Sequence, residues 1–238
     1  MQVFYLNMKI KLAIIFSLLG SVSAFSQPNP ESQNNPAKNN DFKDKQFEGS
    51  IRFIQENLDD TLYYTYYIKD YMVRLDVQEN CKDYEKTDNY LLFDLNNGTI
   101  TAIKPSQKMF INVPPKPYID SKDQNYQIIK TNNNKKIQGY KCYQWRVKNK
   151  YQNTEISYWV AQDNFNFFED FLRLWNRSEK HALYFLQIPD ATGFFPMLSE
   201  ERTILREQKM TLRVTEVVKK DLNQTIFVIP KEYKSYEH

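Results

Sequence analysis

The chain has 238 residues, 41% of them apolar and 15% aromatic, with 32 basic and 29 acidic side chains spread among one another. A formal charge of +3 dispersed in this way excludes a dedicated nucleic-acid surface. Of its two histidines, His238 is terminal, so His181 alone cannot supply a His-based triad or a His-rich metal site.

The first 26 residues read as a cleaved secretory signal peptide. Lys9 and Lys11 form a positive start, Leu12 to Val22 is apolar apart from Ser17, Gly20 and Ser21, and Ala24-Phe25-Ser26 places small residues where a signal peptidase reads. Cleavage between Ser26 and Gln27 follows. Translation starts at Met1 or at Met8, and either gives the same mature chain. A retained transmembrane anchor is the poorer reading, because the apolar run is about half of the roughly 20 residues that a bilayer requires. No cysteine follows the run, so lipid attachment there is excluded. Removing residues 1 to 26 takes away two lysines and no acid, and lowers the formal charge from +3 to +1.

Residues 27 to 45 (QPNPESQNNPAKNNDFKDK) hold one aromatic among Asn, Pro, Ser and Lys. Such a composition buries too little apolar surface to offset the entropy of ordering, so a disordered spacer is expected. From Gln46 to His238 the character changes to one domain of Tyr, Phe, Ile, Val and Thr, in runs that alternate apolar with polar. Phe47, Ile51 and Phe53 share a face of the first strand, Leu62, Tyr64, Tyr66 and Ile68 a face of the second, and Val73, Leu75 and Val77 a face of the third. Leu91, Phe93 and Leu95 lead into Asn97-Gly98, a two-residue hairpin signal, and Thr99 to Lys104 returns. Further strands are predicted at 107 to 113, 125 to 131, 136 to 149, 153 to 161, 196 to 206, 208 to 219 and 225 to 229.

One segment breaks the alternation. Asn166 and Glu169 form a capping-box pair, and Phe168, Phe171, Leu172 and Trp175 recur at helical spacing, predicting a helix over 167 to 177. Ser178 then caps a second short helix carrying Ala182, Leu183 and Leu186, which ends before Pro189. The fold class is therefore mainly β with a helical insertion: an antiparallel, incomplete half-barrel of about ten strands covered by one or two helices.

Phe47-Glu-Gly-Ser-Ile, Met72-Val-Arg-Leu-Asp, Tyr90-Leu-Leu-Phe-Asp-Leu, Ile137-Gln-Gly-Tyr-Lys-Cys-Tyr-Gln-Trp, Glu155-Ile-Ser-Tyr-Trp-Val-Ala, Gly193-Phe-Phe-Pro-Met and Phe227-Val-Ile-Pro-Lys-Glu-Tyr occur in that order. Together they resemble the bacterial domain-of-unknown-function family numbered 4412, over Gln46 to Tyr233. The resemblance implies a fold similar to the periplasmic lipoprotein carriers (LolA-like) and their outer-membrane receptors, an incomplete barrel whose concave apolar face is partly closed by helices. It implies no catalytic residue and no cofactor.

Few residues carry chemistry. Asp59-Asp60 and Glu200-Glu201 are adjacent acids, whose side chains point apart in turns and strands rather than converging on a substrate. The run Tyr63-Tyr64-Thr65-Tyr66-Tyr67 is best read as cross-strand packing. Cys81 and Cys142 reach an oxidising compartment after export and are candidates for a disulfide, with Cys142 on the strand face of Gln144 and Arg146, opposite Tyr143, Trp145 and Val147. An enzyme is not expected, because no nucleophile with a base and no convergent carboxylate pair can be named.

The helix carries the binding reading. Phe165, Phe167, Phe168, Phe171, Leu172, Leu174 and Trp175 wrap more of its circumference than a surface helix needs to bury one stripe. Phe168, Phe171, Leu172, Trp175, Leu183 and Leu186 are the candidate contacts for a hydrophobic ligand such as a lipid or lipoprotein acyl chain. The alternative is a structural or protein-interaction module that fills its own core and meets an envelope partner of unidentified kind through its outer face.

Overall fold

The computed structural model describes residues 46–78, 89–119, 125–176 and 179–236. The expected signal segment, the spacer, Cys81 and the expected cap Ser178 lie outside the described residues. Eleven strands follow in order: β1 (Gly49–Asn57), β2 (Thr61–Lys69), β3 (Met72–Gln78), β4 (Tyr90–Asp94), β5 (Thr99–Lys104), β6 (Met109–Val113), β7 (Tyr126–Ile137), β8 (Tyr140–Asn149), β9 (Thr154–Gln162), β10 (Phe194–Arg202) and β11 (Gln208–Lys219). A two-residue β12 (Lys234–Ser235) comes last, and two helices, α1 (Phe167–Trp175) and α2 (Lys180–Phe185), are inserted between β9 and β10.

All twelve strands form one sheet in the order β12-β6-β5-β4-β3-β2-β1-β11-β10-β9-β8-β7. Two antiparallel meanders, β1 to β6 and β7 to β11, are joined where β1 pairs β11. Because β12 and β7 remain as edges, the barrel is an open half-barrel with a helical insertion. The join is tight at Gly49, which has φ +143° and where a Cβ would overlap the Val218 carbonyl oxygen. Only glycine meets both conditions, which gives the Phe47-Glu-Gly-Ser-Ile segment its physical meaning.

Several local expectations change. Asp94 pairs Thr99, so the β4–β5 connection has four residues rather than the two expected at Asn97-Gly98. Only Gly98 takes a positive φ there, and Asp94 Oδ1 accepts from Asn96 N (3.0 Å) and Asn97 N (2.9 Å), a side-chain cap that stabilises the longer turn. The two-residue hairpin instead lies between β7 and β8, where Gln138 (φ 47°) and Gly139 (φ 85°) are both left-handed and Ile137 pairs Tyr140. What reads as one strand over 136 to 149 is therefore the end of β7, a turn, and β8. At the C-terminus, 225 to 229 is not a strand. Asn223 Oδ1 accepts from Thr225 N at 2.9 Å and starts a 3-10 turn over Gln224–Phe227.

The concave face holds the main core, with Ile51, Phe53, Ile68, Val73, Leu75 and Phe93 from one meander and Val147, Ile156, Val160, Met197 and Val214 from the other. A smaller cluster of Tyr90, Leu92 and Ile103 lies on the opposite face, where Ile229 and Tyr233 pack on it. There Arg74 donates to both carboxylate oxygens of Asp76 (2.7 and 3.0 Å), and its guanidinium stands 3.8 Å from the Tyr90 ring centroid. This C-terminal cover explains why β4 is buried on both faces although its sequence alternates only weakly.

Candidate functional site

The helical insertion is held at its base. Asp163 N and Phe165 N both donate to Gly193 O (3.2 and 3.4 Å), Phe47 N donates to Asn164 O (2.9 Å), and Lys219 pairs with Asp163. Gly193 has φ +79°, and a Cβ there would stand 3.1 Å from Asn166 Oδ1. The capping box expected at Asn166 does not form: Asn166 has helical dihedrals and makes no side-chain cap, while Glu169 pairs with Arg173 at 3.3 Å. The start of α1 nevertheless agrees with the apolar spacing that predicts it, and the helix ends at Trp175, short of the expected 177, because Asn176 takes a left-handed conformation (φ 32°) and caps it through Leu172 O.

From this base α1 runs across the concave face. Phe171 is 1% exposed, with its ring centroid 5.1 Å from Tyr66 and 4.8 Å from Phe93, edge to face in both cases. Trp175 adds a third edge-to-face pair, 5.1 Å from Phe93. One turn earlier, Phe168 lies 4.6 Å from Phe195 and 5.1 Å from Phe185, and Phe165 lies 5.0 Å from Phe47 and 5.3 Å from Phe195. The sheet and both helices are thus continuous through rings in the range where aromatic pairs attract.

The six candidate contacts divide by depth. Phe168, Phe171 and Leu172 are buried, whereas Trp175, Leu183 and Leu186 are half-buried. On α2 the interior places are taken by Ala182, Tyr184 and Phe185, with Tyr184 4.9 Å from Tyr126 and Phe185 5.5 Å from Tyr158. Sequence reasoning missed Tyr184, Phe185 and Phe195. A helix shifted by one position puts Ala182, Phe185 and Ile188 on one stripe, and that alternative periodicity was the available signal.

Polar groups collect where α2 begins. Tyr158 Oη donates to His181 O (2.6 Å), Lys180 Nζ to Thr154 Oγ1 (2.8 Å) and Tyr184 Oη to Gln152 Oε1 (2.9 Å). Burial pushes the His181 imidazole below its ordinary value, against the opposing pull of Glu179 and Glu201. Burial likewise raises the Tyr64 and Tyr66 hydroxyls, and Glu179 raises them further. Glu200 pairs with Arg202 (2.9 Å) and Glu201 with Lys180 (3.9 Å), so the two adjacent acids do point apart. Asp60 serves the β1–β2 turn by accepting from Asn57 Nδ2 at 2.6 Å.

Cys142 departs from the alternation that places it outward. It is buried within the core cluster, although Lys141 before it is exposed and Tyr143 after it is only half-buried. Its Sγ donates to Tyr140 O at 3.5 Å, and burial pushes the thiol pKa up.

A family model described as "Domain of unknown function (DUF4412)" matches residues 47–233. The chain belongs to this family. No curated protein matches the DUF4412 chain in sequence. Among solved structures, an uncharacterized conserved protein from Thermus thermophilus is similar at TM-score 0.43 and 9% identity, over 79% of this chain and 90% of that one. The Pseudomonas aeruginosa MucA/MucB complex gives TM-score 0.46 and 10% identity over 79% of this chain, which spans 58% of the matched chain. A putative outer membrane lipoprotein-sorting protein domain from Vibrio parahaemolyticus gives TM-score 0.30 and 8% identity, over 75% of this chain and 87% of that one.

Proposed function

We infer that this DUF4412 chain is an exported, non-catalytic envelope protein that works through its outer surface, its concave face being occupied by its own helices. The observation that carries this reading is the seating of Phe171 between Tyr66 and Phe93, at ring distances of 5.1 and 4.8 Å. A helix held this way completes a core. Export is supported by the order of Lys9, Lys11, the apolar run Leu12 to Val22 and Ala24-Phe25-Ser26. In this reading residues 1–26 are removed, 27–45 are a spacer, and 46–238 are the working domain.

A second reading, a carrier for a lipid or lipoprotein acyl chain, is favoured by one feature: Leu174, Trp175 and Leu186 stay half-buried at the margin of the cover, where an apolar chain would first meet the protein. Native mass spectrometry of the protein purified from the envelope separates the two. A mass equal to that of the chain from Gln27 onward supports the self-filled domain, and a co-purified lipid that survives gentle desolvation overturns it in favour of the carrier. Retention of residues 1–26 in the purified protein overturns export by cleavage.

A further inference from the structure

We propose that the rim of the half-barrel formed by the β8–β9, β10–β11 and β1–β2 turns rests on a lipid bilayer through Tyr151, Leu205 and Leu58. The proposal rests on the reading of the chain as an exported protein acting through its surface, and it names the partner of that surface. Strands β9, β10, β11 and β1 are neighbours and antiparallel, so these three turns fall on the same edge of the sheet. Each presents a large apolar side chain to solvent, with Tyr151 85%, Leu205 89% and Leu58 70% exposed.

The protrusion is built in. Asn153 N donates to Lys150 O (3.1 Å) and closes the first turn; Thr203 N donates to Glu207 O and Arg206 N to Thr203 O (both 2.8 Å) in the second; Asn57 N donates to Asp60 O (2.9 Å) in the third. Ile204 N donates to Asn153 Oδ1 at 3.2 Å and ties the first turn to the second. Folding therefore holds the apolar tips outward on closed turns.

The spacing favours lipid over protein. Adjacent tips are two strand separations apart, roughly 10 Å, so the row spans about 20 Å. Polar residues, including Asn57, Asn153 and Thr203, stand between the tips. A stable protein partner needs a continuous complementary patch of about 800 Å². A bilayer has no fixed shape: it takes isolated side chains one by one, while head groups solvate the polar residues between them. Charge adds to this at two tips. Lys150 precedes Tyr151 and Arg206 follows Leu205, both are exposed, and among the described residues neither is paired with a carboxylate. Such cations attract anionic phosphate, and tyrosine suits the head-group depth. The Leu58 tip carries Asp59 and Asp60 instead, so anionic lipid acts on the other two tips.

The test uses the chain from Gln27 onward, so that the apolar N-terminal segment cannot itself bind lipid, floated with vesicles of phosphatidylcholine alone or mixed with phosphatidylglycerol. The wild-type chain is expected to float with the mixed vesicles. Leu58→Ser and Leu205→Ser should each weaken binding about tenfold on both compositions. Lys150→Gln with Arg206→Gln should cost about fivefold per cation, on mixed vesicles only. All four positions are exposed turn sites, and unchanged melting temperatures confirm that the variants fold. Failure of the wild-type chain to float, or equal flotation of the leucine variants, overturns the proposal. Concentration-dependent self-association that the leucine variants abolish also overturns it and assigns the rim to a second copy. Neither result bears on the filled core, which native mass spectrometry tests separately.

Discussion

Replacing Phe171 by alanine decides whether α1 is a plug or a lid. The side chain is 1% exposed and meets Tyr66 and Phe93 edge to face, at 5.1 and 4.8 Å. Full truncation of a buried phenylalanine costs about 3–5 kcal/mol, from lost transfer energy and from the cavity left behind. The two ring pairs place Phe171 at the upper part of that range, since each is worth about 0.5–1.5 kcal/mol beyond area burial. For a chain of this size, about 2–4 °C of melting temperature accompanies each kcal/mol, so the variant should melt about 6–20 °C lower. Urea denaturation gives the more direct reading: the midpoint should fall while the slope stays constant, because a cavity changes stability without changing the area exposed on unfolding. A lid would respond differently, since a weakly packed element opens on its own at little cost. Loss of less than about 1 kcal/mol, or rapid hydrogen exchange across α1 in the wild-type chain, would refute the plug.

Three further outcomes follow from the same contacts. Gly49→Ala forces both an unfavourable φ and an overlap with Val218 O, and should cost more than the roughly 1–3 kcal/mol of backbone strain alone, read as a lowered urea midpoint. Burial holds the His181 imidazole below its ordinary value of 6.5, so the unfolded chain gains its proton at higher pH than the folded one; stability should be complete above about pH 6.5 and fall as the pH drops below it, and His181→Gln should flatten that slope between pH 7.5 and 5.5. In a Cys81→Ser variant, Cys142 should resist maleimide until denaturant is added, and fast labelling of the native protein would contradict its burial in the core.

Strand faces were readable because burial imposes a period of two. Ile51, Phe53, Tyr64, Tyr66 and Ile68 all turn toward the concave core as their alternation predicts. Turn chemistry was harder, because it depends on dihedrals that several dipeptides satisfy. Asn97-Gly98 lost its two-residue turn to a side-chain cap from Asp94, while Gln138-Gly139, a weaker signal, took the left-handed pair. The C-terminal cover was not legible at all. Phe227 and Ile229 alternate as a strand would, but a 3-10 turn takes Phe227, and Ile229 packs on the Tyr90, Leu92 and Ile103 patch across the sheet. Of the candidate site, the helix and its deepest residues were legible from spacing, whereas the depth of each ring was not. That depth is set by Phe93, Tyr66 and Phe195, which come from distant parts of the chain.

Three of the seven segments that carry the family resemblance sit at joints of the half-barrel. Gly49 lies where the two meanders meet, and Gln138-Gly139 makes the turn before Cys142. Gly193 receives two backbone hydrogen bonds that close the helical insertion, and Phe195 beside it packs on Phe165 and Phe168. Each position has a steric or packing reason to be what it is, and none of these reasons involves a ligand. The rim tips present the opposite case. Leu58, Tyr151 and Leu205 are 70%, 85% and 89% exposed, so folding buries little of their apolar surface. A large apolar side chain held outward on a closed turn leaves hydrophobic surface in water; one such residue is ordinary, and it is the recurrence of three on one edge of the sheet that the proposed bilayer contact accounts for.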